Sequence, residues 1–417
     1  MKRPRRVTTK KIVDVIEYLI IILVLISSST IWVQEDYGLL NITHVRTLSL
    51  LLAVFWTLYL KRDLIIRMQK NDLYILYCMV IFMCLYGITH THWILSPIVI
   101  AFTPMLVFSL MMIVAREESR LDEIVRKFVI VMTVLAVESL IFYVLVNYGL
   151  IKPTGYVSNL GWSWIARIPS YYNIYYDPMP GYLFGYRFSR NCAIFPESPM
   201  YCYPLCIALM FNELLANNRS VIKSIILVAT IVTTISTTGF LFIGFLYAYK
   251  IWSDQKAGIS VSKFMVFVVV FVAAITVSIV LLGWKMTAGA SYSIRFDHVI
   301  ASFKCFADTH GMGCGIGNYE YVEKFMQRKQ GAACGLPYMF AQGGLFWGGL
   351  YFVPFFIKLP VIIRKNYNNV ISSFGLFTFL LFLTACHNKY NTWFCYPIIL
   401  FNNHRNNRIT KLKAMDQ

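Results

Sequence analysis

The sequence predicts an all-α polytopic membrane protein of about 12 transmembrane helices, at ~20 residues per span, with two long external loops containing short interfacial helices. Three observations carry that prediction. Of 417 residues, 58% are hydrophobic and only 14% are charged, and the mean hydropathy is +0.60, well outside the range of an ordinary soluble domain. The apolar stretches run continuously, whereas strands of a membrane barrel would alternate polar and apolar residues. The 38 Lys and Arg, against 20 Asp and Glu, gather in alternate loops, the pattern that orients membrane helices.

Apolar runs between charged breaks place spans near 13–33, 47–60, 73–88, 94–115, 128–149, 199–214, 222–236, 239–252, 264–283, 342–359, 370–386 and 392–402. This is a single integral membrane domain over 1–417, with no room for a large soluble enzyme. Lys2, Arg3, Arg5, Arg6, Lys10 and Lys11 precede the first span. Lys61, Arg62, Arg67 and Lys70 follow the second, and Arg116, Arg120, Arg126 and Lys127 follow the fourth. Arg219 and Lys223, Lys250, Lys256 and Lys263, then Lys358, Arg364 and Lys365 follow the sixth, eighth and tenth; Arg405, Arg408, Lys411 and Lys413 close the chain. Both termini are therefore expected in the cytoplasm. The first span lacks a small-residue cleavage site and reads as a retained anchor. Most of the +18 net charge is thus orientation charge, and nucleic-acid binding loses its main support.

Two external segments, 150–198 and 284–341, are longer than a connection needs. The first is rich in tyrosine, with Tyr171, Tyr172, Tyr175, Tyr176, Tyr182 and Tyr186 beside Trp162 and Trp164. Such rings either form an interfacial belt or stack on sugar faces. Arg167, Arg187 and Arg190 suit phosphate oxygens, with snorkelling anchors as the alternative for Arg187 and Arg190, which share a face if the approach to the next span is helical. Glu197, in FPES, is either a general base or a favourable charge at a helix N-terminus.

In the second segment Phe296, Val299, Ile300, Phe303 and Ala307 recur at helical spacing and predict an amphipathic interfacial helix. Arg295, His298 and Ser302 form its polar stripe, facing an external cavity or solvent. Gly311, Gly313, Gly315 and Gly317 in GMGCGIGNY allow close backbone approach and offer N–H groups to anionic oxygens. The external cysteines Cys192, Cys305, Cys314 and Cys334 leave a disulfide open and match no zinc spacing. Ser236-Thr237-Thr238-Gly239 suits a tight external turn, and Glu138 reads as the one clear carboxylate within a span.

RFSRNCAIFPESPMY before a span, a hairpin of spans turning at STTG, Arg295 followed by HGMGCGIGNY, and LPYMFAQGGLFWGG leading into a span occur in this order. The order resembles the O-antigen polymerase (Wzy-type) family within the wider ligase and polymerase superfamily, over roughly residues 130–360. The resemblance implies an inner-membrane glycosyltransferase working at the periplasmic face. It would transfer an undecaprenyl-diphosphate-linked glycan onto another lipid-linked repeat unit, with no cofactor because the donor carries its own leaving group. The family's external arginines would fall on Arg187 or Arg190 and on Arg295. The base stays open among Glu197, His298 and His310, and Tyr186 and Gly315 complete the expected substrate-binding set. Membrane lipid and a polysaccharide chain-length regulator are the further partners it suggests. GAACGLPYMFAQGG lacks the histidine of the related ligases, and no glycine stands eleven positions beyond Arg187, Arg190 or Arg295. An O-antigen ligase or a flippase for lipid-linked oligosaccharide are the alternatives.

The orientation has a direct test. In a cysteine-free background, single cysteines near 180 or 325 should react with an impermeant maleimide added outside intact cells, and those near 66 or 257 only after permeabilisation; the reverse pattern contradicts the charge rule.

Overall fold

The computed structural model describes residues 5–28, 30–33, 39–60, 70–90, 102–158, 167–178, 180–183, 186–253, 276, 291–327, 335–384 and 390–402. Helices α1 (Arg5–Ile26), α2 (Ile42–Leu60), α3 (Lys70–Thr89), α4 (Thr103–Glu117) and α5 (Leu121–Asn147) precede a segment of short strands. Beyond it come α6 (Ser198–Met210), which runs into a π turn at Phe211–Leu215, then α7 (Val221–Thr233) and α8 (Thr237–Ser253). The chain continues through α9 (Ser291–Asp308), the short α10 (Tyr319–Glu323), α11 (Leu336–Arg364), α12 (Asn368–Leu383) and α13 (Tyr390–Phe401).

Each expected span overlaps one of these helices except 264–283, of which only residue 276 is among the described residues. Among the described residues, α2, α3, α5 and α11 are long and apolar enough to cross a membrane, and α7 and α12 are shorter apolar helices. Every residue of α13 is buried, and nearly every residue of α6. A helix that is apolar all round belongs at the centre of a bundle, and Phe108, Phe128 and Phe211 pack on this centre through ring contacts with one another and with Phe394.

The first long segment is not helical, which corrects the all-α expectation. It forms strands β1 (Gly155–Ser158), β2 (Arg167–Tyr171), β3 (Tyr175–Tyr176), β4 (Pro180–Leu183) and β5 (Tyr186–Ser189). β1, β2 and β3 make one antiparallel sheet, and β4 and β5 make a hairpin. Val157, Ile168 and Tyr176 point inward onto Ile31 and form a small core of their own. Backbone bonds from Ile31 N to Ile194 O (2.9 Å) and from Tyr176 N to Ala193 O (2.9 Å) fix this platform over the start of α6. Tyr171, Tyr175 and Tyr176 are consequently buried, with Tyr175 stacked on Phe142 of α5 at 5.7 Å. Those rings pack the platform and do not form an exposed aromatic belt.

The second segment is helical where expected, and α9 is inverted relative to a water-soluble helix. Phe296 and Phe303 are 58% and 59% exposed, while His298, Ala301, Ser302 and Cys305 are buried. The polar stripe faces the protein and the apolar stripe faces away from it, an arrangement suited to a bilayer interface.

α11 is broken at Gly344, whose backbone sits at φ 60°, ψ −154°. The break leaves Ala341 O, Gln342 O and Leu345 N outside the helical ladder, and the glycine loop satisfies them. Cys314 N donates to Ala341 O, Gly315 N to Gln342 O and Leu345 N to Gly311 O, each at 2.9 Å. A Cβ on Gly344 would lie 2.1 Å from Met312 O. Tyr86 and His90 at the end of α3 hold the far side of the loop, with Ile316 N donating to the Tyr86 hydroxyl at 2.7 Å and His90 Nε2 lying 3.0 Å from Gly313 O.

The opposite end of the bundle is tied by buried acids. Glu17 of α1, with no exposed surface, accepts from Arg120 Nε (2.7 Å), Trp56 Nε1 (3.1 Å) and the Lys127 ammonium. Asp72 of α3 takes both Arg116 Nη atoms (3.1 and 2.5 Å), with Lys358 Nζ at 3.5 Å. Glu213 in the π turn pairs with Lys250, and with Arg219 at 3.4 Å. Several basic residues read as orientation charge are therefore also clamps between helices.

Gly344→Ala should cost about 2–4 kcal/mol, the sum of overpacking and left-handed backbone strain. Gly375→Ala, where an added Cβ meets nothing within 4 Å, should be neutral or slightly stabilising by thermal melting in detergent. Glu17→Ala should cost up to about 3–5 kcal/mol, because it leaves buried Lys127 and half-buried Arg120 only the more exposed Asp14 and Glu123; a loss near zero would mean that the cluster is solvated.

Candidate functional site

Arg190 directly follows β5, at the end of the bundle opposite those acids. Its Nε donates to Thr234 O and its Nη2 to Ile235 O, both at 3.1 Å. These carbonyls lie in the turn between α7 and α8, where Ile235 holds a left-handed φ of 48°, a costly conformation for a β-branched residue. The turn is locked by Thr234 Oγ1 donating to Ile231 O at 2.6 Å and by Asn191 N donating to Thr233 O at 3.1 Å. Carbonyls at the end of α7 carry the negative pole of its dipole and suit a guanidinium. Gly239 lets α8 close on α6 and α7, since a Cβ there would lie 2.7 Å from Cys202 Sγ and 2.6 Å from Ile231 Cγ2. The STTG motif thus shapes the turn that carries Arg190.

Arg295, near the start of α9, donates from Nη1 to Leu383 O at 3.2 Å. That carbonyl closes α12, a second negative helix pole. Among the described residues Arg295 has no carboxylate partner. Burial pulls the Arg190 guanidinium below its ordinary pKa; Glu197 pushes it back up and Arg295 lowers it further. Arg190 therefore lies within electrostatic reach of both Glu197 and Arg295, although Arg190 and Arg295 come from separate long segments of the chain.

Glu197 occupies the N-cap position of α6, with extended backbone at φ −142° and no side-chain cap. Its carbonyl oxygen accepts from Met200 N (3.1 Å) and Tyr201 N (3.2 Å), so the main chain starts the helix and the carboxylate does not cap it. His298 sits one turn beyond Arg295 and is fully buried, with Ser302 Oγ donating to its carbonyl at 2.7 Å.

The other expected site residues are placed differently. His310 is exposed in the turn that ends α9, at φ 49°. Thirteen residues of helix run from Arg295 to the end of α9, about 20 Å at 1.5 Å per residue, and His310 lies beyond that end, so it does not join Arg295. Gly315 is buried, and its N–H is spent on Gln342 O. Gly313 N is likewise spent on Thr309 Oγ1 at 3.1 Å. The glycine loop closes the break in α11, and the N–H groups of residues 311–316 are engaged within the protein, not presented as an anion cradle. Arg187 and Tyr186 lie on β5, paired with Tyr182 and Leu183. The approach to α6 is therefore a strand and not the helix that would put Arg187 and Arg190 on one face; the side chains of both residues lie outside the described set.

Sequence reading passed over Asn191, which is buried and donates to Ser139 Oγ at 3.2 Å and to Thr233 Oγ1 at 3.1 Å. It ties the segment after Arg190 to α5 and α7. A polar residue immediately following the arginine was the available signal. Asp14, Glu17 and Glu123 bring carboxylate oxygens within 4.8 Å of one another at the far end of the bundle. Arg120 contacts all three and Lys127 contacts two of them, which makes the group an ion-pair network. No family model, curated protein or solved structure matched the chain.

Two cations near one carboxylate leave an excess of positive charge suited to an anion with several oxygens. Inorganic pyrophosphate should bind the purified protein, and Arg190→Ala or Arg295→Ala should each weaken that binding by roughly tenfold to a hundredfold, the range for charge-assisted hydrogen bonds. Calorimetry is the check. His310→Ala should bind as the wild type does, and equal losses in all three variants would remove the site.

Proposed function

We propose that this chain is a Wzy-type O-antigen polymerase, a membrane glycosyltransferase of the periplasmic face of the bacterial inner membrane with both termini in the cytoplasm. The observation that supports the reading is the electrostatic proximity of Arg190 to Arg295 and to Glu197, the two arginines belonging to separate long segments. Guanidinium groups match phosphate oxygens in geometry and stay charged throughout a reaction. The order of sequence motifs supplies the class of substrate, an undecaprenyl-diphosphate-linked oligosaccharide.

In the proposed reaction the diphosphate lies against Arg190 and Arg295 while the acceptor, the terminal sugar of a second lipid-linked unit, brings a hydroxyl to Glu197. The carboxylate takes the hydroxyl proton as the oxygen attacks the anomeric carbon. The bond from that carbon to the diphosphate breaks, and its electron pair leaves on the diphosphate oxygen. The two arginines stabilise the charge that develops there, the kind of preorganised electrostatics that provides the largest share of many rate enhancements. His298, buried one turn from Arg295, positions that helix. The donor's activated leaving group makes a nucleotide or metal unnecessary to the scheme.

A transporter of lipid-linked oligosaccharide is the second reading. Ionisable residues inside a helical bundle, such as Glu17, Asp72 and Glu213, are also groups that transport pathways use, and this supports the second reading.

The test replaces the chromosomal copy with variants and examines surface polysaccharide on gels. Arg190→Ala and Arg295→Ala should each collapse the long ladder to single-repeat material while the protein stays inserted, and Arg→Lys should restore it in part. Normal ladders from both alanine variants overturn the reading. After deletion, unmodified lipid A-core points to ligation, and lipid-linked repeats trapped in the cytoplasmic leaflet point to transport.

A further inference from the structure

Of the four cysteines in the two external segments, Cys334 lies outside the described residues, and Cys192 is fully buried in the first segment beside Arg190. Cys305 and Cys314 meet. Cys305 projects from the buried face of α9 and Cys314 from the glycine loop, both as free thiols close enough to perturb each other. Both also converge on one carbonyl of α11: Cys305 Sγ lies 3.5 Å from Ala341 O, and Cys314 N lies 2.9 Å from the same oxygen. Cys305 belongs to a small core with Ala301, Val322, Tyr338 and Ala341, against which Cys314 packs.

We propose that Cys305 and Cys314 form a disulfide that ties α9 to the glycine loop. The inference rests on the sidedness of the proposed function, which places both residues in an oxidising compartment, and not on its transfer chemistry. Cys314 is the more exposed of the pair and meets the oxidant, a disulfide of a thiol–disulfide exchange protein. Its thiolate attacks that disulfide, whose bond breaks and releases one sulfur as a thiolate. The Cys305 thiolate then attacks the Cys314 sulfur, the mixed disulfide breaks, and the oxidant's second sulfur leaves. The pair gives up two protons and two electrons, and the oxidant ends as a dithiol.

The bond has a structural purpose. α9 presents Phe296, Ile300 and Phe303 away from the protein, so it is held from one face, and Arg295 lies at its start. The glycine loop is already fastened to the break in α11 and to α3. A covalent link at Cys305 would carry that fastening to the helix that bears Arg295.

The chain itself provides a clean readout, since trypsin cleavage after Lys304 and Lys324 leaves both cysteines on the peptide 305–324. Full-length protein from membranes should be denatured in N-ethylmaleimide, reduced, labelled with a second alkylating reagent, digested and weighed. The expected result is a peptide carrying the second label at both cysteines and the first at neither. Peptide carrying N-ethylmaleimide at both positions overturns the proposal, and so does a crosslink from either cysteine to Cys192 or Cys334. In Cys314→Ser protein, Cys305 should take up N-ethylmaleimide; failure to do so would also overturn it, by showing that Cys305 is blocked by something other than Cys314. The polysaccharide ladder reads the transfer reaction separately, so either result can fail while the other stands.

Discussion

Two like charges held within electrostatic reach of each other are the constraint on which the architecture of one end of this bundle depends. Arg190 and Arg295 repel, and burial disfavours the charge on Arg190. Main-chain oxygens at the ends of two helices offset part of that cost: Thr234 O and Ile235 O for Arg190 and Leu383 O for Arg295. Carbonyl dipoles hold a cation in place without neutralising it. Arg295, which has no carboxylate partner among the described residues, keeps its charge against a helix pole, while Glu197 offsets part of the cost on Arg190.

The rest of the scaffold can be understood as support for that arrangement. The strand platform fixes the approach to α6 through Ile194 and Ala193, so Arg190 leaves β5 at a defined point. The turn between α7 and α8 accepts the strain of Ile235 to aim its carbonyls. On the other side, the broken α11 and the glycine loop complete each other's backbone hydrogen bonds, which gives α9 a firm seat. At the far end, buried acids clamp α1 to α5, α3 to α4 and α11, and the π turn after α6 to α8. Breaking one of these clamps would leave an uncompensated charge in the interior, and this favours a rigid frame beneath the site.

How far the sequence showed this depended on the range of the interaction. Helices were legible because apolar composition is a local property of twenty residues. The strands were not, since Val157 between exposed Tyr156 and Ser158 is too short an alternation to stand out in a run dense with tyrosine, glycine and proline. The break in α11 was hidden for another reason: Gly343-Gly344 fits a helix locally, and only the approach of Met312 O makes the left-handed φ necessary. The ion pairs were missed because Glu17 meets Arg120 across a separation of 103 residues. Arg190, Glu197 and Arg295 could be chosen by residue type and place in their loops, but the electrostatic proximity of Arg190 to the other two, and the separation of His310 from Arg295, came only with the fold.

A double-mutant cycle on pyrophosphate affinity, with Arg190→Ala, Arg295→Ala and the pair combined, tests the shared site most directly. Two cations gripping one anion should couple by about 1 kcal/mol or more, the range seen for groups with a common partner. Losses that add within about 0.5 kcal/mol, as for independent positions, would mean that each arginine binds its own anion and that the common site does not exist.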